Sequence, residues 1–268
     1  MSNEQVMNFF KERERQLVEG IDLFDGMKIR RLSKEDLDDF KTNPTLPPYI
    51  MTLPVNFVLE KYITVENEHD FQLDPILRNV VLALRLLKKS YVSGSSVFYV
   101  LVSEKRLLDS WSCEEEPRHE FWGFKYALNF DEFPALKEIL GKIQGIDFAK
   151  RKSLHLACKR FQRAYEESDA EDQLIDMMIA FEALFLKGEK AVSPAGQIVA
   201  TACSILLGKN DEEREEIRRF LTKAYSVRNC IVHGSEYQKP IINKEYDIPE
   251  FVSKIEDYLR ESIKKLLD

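Results

Sequence analysis

Arg228, Asn229 and His233 close one amphipathic stretch, Arg228-Asn229-Cys230-Ile231-Val232-His233, and Gly234 follows directly. A guanidinium can grip a phosphate through two parallel hydrogen bonds, and an imidazole can move a proton near neutral pH. An amide beside them can orient either group. Together these types suit the cleavage of a phosphodiester. Spacing alone argues weakly: with 16 arginines and four histidines in 268 residues, chance puts an Arg five residues before some His about one time in four. The plain alternative is a helix C-terminal His that complements the dipole, an Arg paired to a surface acid, and an exposed Asn229.

Other chemistry-bearing residues read more simply. His155 lies among Leu154, Leu156 and Ala157 and is a packing or surface residue. His69 and His119 sit in acidic stretches that resemble solvated loops more than metal ligand sets. Trp111, Trp122 and Phe124 read as core, with an aromatic platform for bases as the competing reading. Ser110 and Ser112 have no nucleophile elbow around them. Cys113, Cys158, Cys203 and Cys230 are too widely spaced for a zinc or redox pair, and three of them fall in helical apolar patterns. Glu182, alone among apolar neighbours, needs a cation such as Arg228 or a place on the rim.

The element that must position Arg228 and His233 is a long helix over Asp211–His233. Asn210 or Asp211 caps it, glutamates fill its first turn, and Gly234 stops it at the C′ position. Phe220, Ala224, Val227 and Ile231 make its core stripe, while Thr222, Ser226, Asn229 and His233 make a polar one. Arg228 and His233 lie about 140° apart on an ideal helix, so they meet only around the helix end or across a dimer axis. Four further helices surround it in sequence: Asp147–Glu167, Asp169–Lys187, Ser193–Leu207 and Pro249–Leu267. Short connections imply an antiparallel bundle over residues 146–268.

Residues 1–145 have a different texture. A short amphipathic helix is expected over residues 1–19, another opening at Ser33, and irregular chain through the four prolines between Thr42 and Pro54. Strands are expected at Phe57–Val65, Val97–Val102 and Phe121–Phe130, and helices at Leu73–Lys89 and Phe133–Ile143. The fold class is thus an α+β N-terminal half followed by an all-α antiparallel helical bundle.

The net charge of −7 divides into −5 before the cut after Gly145 and −2 beyond it. Neither half is a basic body, so contact with nucleic acid has to be local. A charged start and the lack of a membrane-length apolar run point to a cytoplasmic protein with no membrane contact.

The stretch AFEALFL (Ala180–Leu186), a following helix rich in small residues, and AYSVRNCIVHG (Ala224–Gly234) resemble the HEPN superfamily, within it the Apea-like branch. The resemblance covers roughly Asp147–Asp268. It implies a helical bundle that forms homodimers and cuts RNA without metal or cofactor, in host defence, toxin–antitoxin or RNA-processing systems. It implies that His233 acts as general base or acid at the RNA 2′-hydroxyl, that Arg228 holds the scissile phosphate, and that Asn229 orients the imidazole or the phosphate. Partners it implies are an RNA substrate, a second copy of the chain, and a protein antitoxin or regulator. The residues lean towards this endoribonuclease reading and leave open a noncatalytic HEPN-like module that dimerises and binds nucleotide, RNA or protein.

Overall fold

The computed structural model describes residues 19–24, 26–31, 33–34, 57–61, 75–89, 96–101, 106–112, 128–186, 194–237 and 246–268. The N-terminal region forms a three-stranded antiparallel sheet in the order β1 (Ile21–Phe24), β2 (Met27–Arg31), β3 (Phe57–Lys61). Phe24 pairs with Met27 across a two-residue connection in which Gly26 has φ +70°. Asp-Gly between alternating runs suits such a turn, because glycine enters the left-handed region without steric cost. Leu23, Met27 and Ile29 bury one face, and Arg30 donates to the Glu60 carboxylate at 2.7 Å. A separate antiparallel pair joins β4 (Ser96–Leu101) to β5 (Arg106–Ser112).

Among the described residues seven α-helices follow: α1 (Pro75–Leu87), α2 (Phe133–Gly145), α3 (Lys152–Ala164), α4 (Ala170–Phe185), α5 (Ala195–Leu207), α6 (Asp211–His233) and α7 (Ile248–Leu266). Helix α4 is the hub, packing on α3, α5, α6 and α7. Its apolar run explains this. Leu174, Met177, Met178, Ala180 and Phe181 are all fully buried, each large side chain contributing about 1.5–3 kcal/mol. Helices α5 and α6 pack as a pair, and α7 covers α3, α4 and α5 with Phe251, Ile255, Leu259 and Ile263. No described helix is long and apolar enough to cross a membrane.

The compact units are not the two segments split at Gly145. One unit holds the five described strands, the first residues of α1 and the start of α2. The other holds α1 from Asn79, α2 from Glu138, and α3 to α7. The reason lies in α1, whose Val80, Leu82, Ala83, Leu84 and Leu86 are buried and whose Arg85 reaches the helical elements. Arg85 donates to the Gln162 carbonyl at 2.9 Å, and its own carbonyl accepts from Arg260 Nε at 3.1 Å.

These contacts belong to a buried ionic cluster. Glu256 on α7 is fully buried and accepts from the Tyr165 hydroxyl at 2.7 Å, while Arg260 pairs closely with the same oxygen. Lys89 Nζ stands 3.6 Å from the other carboxylate oxygen and donates to the Ser253 carbonyl at 2.6 Å. Burial, and then the Glu256 charge, hold the Tyr165 phenol well above its ordinary range, so it remains a donor.

Two expectations need correction. Phe130 does not end a strand: Phe130–Glu132 is a 3-10 turn, and the Glu132 carboxylate accepts from Asn129 N–H at 2.7 Å, which turns the chain into α2. Helix α3 starts at Lys152 rather than Asp147, because Asp147 accepts from Ala149 N–H at 3.1 Å in a local turn that competes with helix. The helix expected over residues 1–19 lies outside the described residues except for Glu19. So do the proline-rich stretch Thr42–Pro54, residues 62–65 and residues 121–127 of two expected strands, and His69 and His119.

Candidate functional site

The sequence of α6 fixes both of its ends. Asn210 accepts from Glu213 N–H at 2.8 Å, and three acids occupy the first turn. At the other end Gly234 adopts φ +66°, its N–H bonds the Ile231 carbonyl, and Ser235 N–H bonds Cys230. That is a Schellman stop, and it leaves His233 as the last helical residue. Ile217, Phe220, Leu221, Ala224 and Val227 bury the core face.

On the polar side, Thr222 and Ser226 spend their hydroxyls on the carbonyls of Arg218 and Thr222. They offer little to a ligand. Arg228 is held on three sides. Its Nη1 donates to Asn229 Oδ1 at 3.1 Å, its Nη2 lies 3.8 Å from Glu182 Oε1 on α4, and its guanidinium carbon is 5.7 Å from the Tyr225 ring centre. Arg228 Nε is buried without a hydrogen-bond partner among the described residues. The guanidinium therefore has donor capacity that the resting structure leaves unspent.

Tyr225 ties this group together, donating its hydroxyl to Glu182 at 2.9 Å. Burial first, and then the bond to Glu182, push its phenol upward, so the hydroxyl keeps its proton. Glu182 thus has its partners, a tyrosine and a guanidinium, in place of an isolated buried charge. The seat for the ring is Gly196 on α5. A Cβ there would stand 2.7 Å from two ring atoms of Tyr225 and 3.1 Å from its Cβ. Gly196→Ala is expected to cost about 1–3 kcal/mol by overpacking, lowering the melting temperature and loosening the Tyr225–Glu182–Arg228 arrangement. Gly141→Ala is the control, since open space surrounds that position; thermal melts of the two variants side by side check this.

Of the residues singled out by spacing, Arg228 and Asn229 are brought into contact. His233 is exposed and makes no hydrogen bond among the described residues. It follows Asn229 by one turn on the same stripe. Beyond it lies an open depression of about 540 Å³ lined by Glu171, Gly234, Ser235, Glu236 and Tyr237, with the Tyr237 hydroxyl bonded to Glu171. Its carboxylates repel a phosphate, so an anion is favoured on the Arg228 side of the helix.

Tyr225 and Gly196 carry weight that motif spacing does not convey. The sequence hint was the small-residue start of α5, Ala195-Gly196, where a neighbouring helix can approach closely. Cys158 and Cys203 are buried, and burial pushes both thiols up to about 12, which suits packing rather than redox chemistry. Among the described residues no cluster of three His, Cys, Asp or Glu is placed to hold a metal. Comparison with protein-family models, curated proteins and solved structures finds no match for this chain.

Proposed function

We propose that the chain is a metal-independent endoribonuclease of the HEPN kind, with Arg228, Asn229 and His233 as its working residues and a dimer as its working form. The observation that carries this reading is Arg228 held by Asn229 and backed by Glu182, with an exposed His233 one helical turn beyond Asn229. In the reaction, His233 removes the proton of a 2′-hydroxyl and the 2′-oxygen attacks the adjacent phosphorus. The 5′-oxygen then departs with a proton, leaving a 2′,3′-cyclic phosphate and a 5′-hydroxyl. Arg228 offsets the charge growing on the phosphoryl oxygens, and Asn229 keeps its guanidinium aimed. A second copy would present its own α6 end, which supplies a partner imidazole for the leaving oxygen.

The test is incubation of the purified protein with transfer and messenger RNA in excess EDTA. Fragments ending in cyclic phosphate are expected, and an intact RNA panel would refute the reading for those substrates.

One observation favours the noncatalytic alternative. Arg228 already has Asn229 and Glu182 as partners, and the depression beside His233 is acidic. A binding module predicts RNA or nucleotide binding that survives His233→Ala, is lost with Arg228→Ala, and yields no cut product.

A further inference from the structure

We propose that the solvent face of α3, together with the turn before it, binds the phosphate backbone of single-stranded RNA. From Lys150 to Arg163 the chain carries six basic residues and no acid, within a protein of net charge −7. The helix divides cleanly. Leu154, Ala157, Cys158, Phe161 and Ala164 are buried, whereas Lys152, Lys159 and Arg163 are exposed. At 100° per residue those three cations fall within about 20° of one line, spread over about 16 Å of helix. Such a ladder follows a polyanion along its length.

Neighbouring acids reduce this charge without cancelling it. Arg160 and Arg163 pair with Asp176 of α4 at 2.7 and 3.3 Å, Arg163 also with Glu167 at 3.2 Å, and Lys150 with Asp147 at 3.1 Å. Arg151 is bonded to the Leu266 carbonyl. Lys152 and Lys159 have no ion-pair or hydrogen-bond partner among the described residues, so their ammonium groups remain available. Beside the ladder, the rings of Phe148 and exposed His155 lie 5.0 Å apart at 37°. Aromatic faces of this kind take unstacked bases, which a single strand offers and a duplex hides. The choice of RNA over other polyanions rests on the nuclease reading above.

The experiment uses the full chain carrying His233→Ala, so that the probe survives. A fluorescent mixed-sequence single-stranded RNA is titrated at a series of KCl concentrations, with and without Lys152→Gln/Lys159→Gln. Loss of two phosphate contacts should make the slope of log affinity against log salt shallower by about 1.4, at about 0.7 per contact on a single strand. The double variant should bind severalfold more weakly at low salt and melt like its parent, and Lys152→Glu/Lys159→Glu should bind more weakly still. An unchanged slope and affinity would overturn the inference. So would a parent that binds no RNA, or binding abolished by Arg228→Ala but untouched by the lysine changes. Phosphatidylserine vesicles form a separate arm: lysine-dependent capture of vesicles without lysine-dependent RNA binding would assign the face to a membrane surface instead. RNA held through α3 but never cut by the wild type fails the nuclease reading alone, and RNA cut by the wild type with unaltered binding in the lysine variants fails this inference alone.

Discussion

His233→Ala should lower the rate of RNA cleavage by about 10²–10⁴-fold, the usual contribution of one positioned proton-transfer group. The melting temperature should stay at the wild-type value, because the side chain is exposed and makes no hydrogen bond among the described residues. Arg228→Ala should cost a comparable factor through the lost stabilisation of developing phosphate charge. It also leaves Glu182 without its cation, so a small loss of stability accompanies it. Arg228→Lys keeps the charge but not the planar fork and should restore little activity. Single-turnover cleavage assays beside thermal melts check all three. Full activity in His233→Ala would remove the imidazole from the mechanism.

The largest effect on stability should come from Glu256→Ala. The change takes from buried Arg260 its closest anion, leaving it only the exposed Asp257 at 3.1 Å, and takes the acceptor from Tyr165; breaking a buried ion pair from one side costs about 3–5 kcal/mol. For a protein of this size that lowers the melting temperature by about 10 °C. Glu256→Gln should be milder, since it still accepts from Tyr165. Replacing both members, Glu256→Leu with Arg260→Leu, should recover part of the loss, because no charge is then left unpaired. A Glu256→Ala protein melting within about 2 °C of wild type would show that the cluster contributes little.

The pH dependence of this group has a definite sign. Burial pushes the Glu256 carboxyl above its ordinary range, opposed by Arg260, the Tyr165 hydroxyl and Lys89. The folded state therefore holds this proton to higher pH than the unfolded chain does. Its contribution to stability is full below the ordinary carboxylate pKa and declines as pH rises through the folded value. Glu256→Gln cannot titrate, so its stability difference from wild type should change across that window. Denaturant melts from pH 4 to 8 would show it.

Much of this was legible in the residues, for identifiable physical reasons. Helix α6 was readable end to end because Asn210, the acidic first turn and Gly234 each act locally. Glu182 could be matched to Arg228 because a carboxylate in an apolar helix demands a cation. The β1–β2 hairpin is not among the expected elements, although Asp25-Gly26 between Ile21-Asp22-Leu23-Phe24 and Met27-Lys28-Ile29-Arg30 carries the turn chemistry for it. Strand β5 is likewise not among them, because Asp109 and two serines interrupt its apolar pattern. The seat that Gly196 makes for Tyr225 depends on how closely two helices approach, and no periodicity encodes that distance. Nor could spacing show that Asn229 would bond Arg228 while His233 stays apart.

Because α1 lies inside the helical unit while the chain before and after it builds strands, that unit is sewn together from non-adjacent lengths of polypeptide. The hydrogen bond from Arg260 to the Arg85 carbonyl spans 175 positions. A fragment beginning at residue 146 would bare the apolar surface that α1 covers and leave Glu256 without Lys89. Excising the N-terminal half therefore could not isolate the catalytic candidate. It would test an unfinished protein, and any loss of activity would say nothing about the role of the strands.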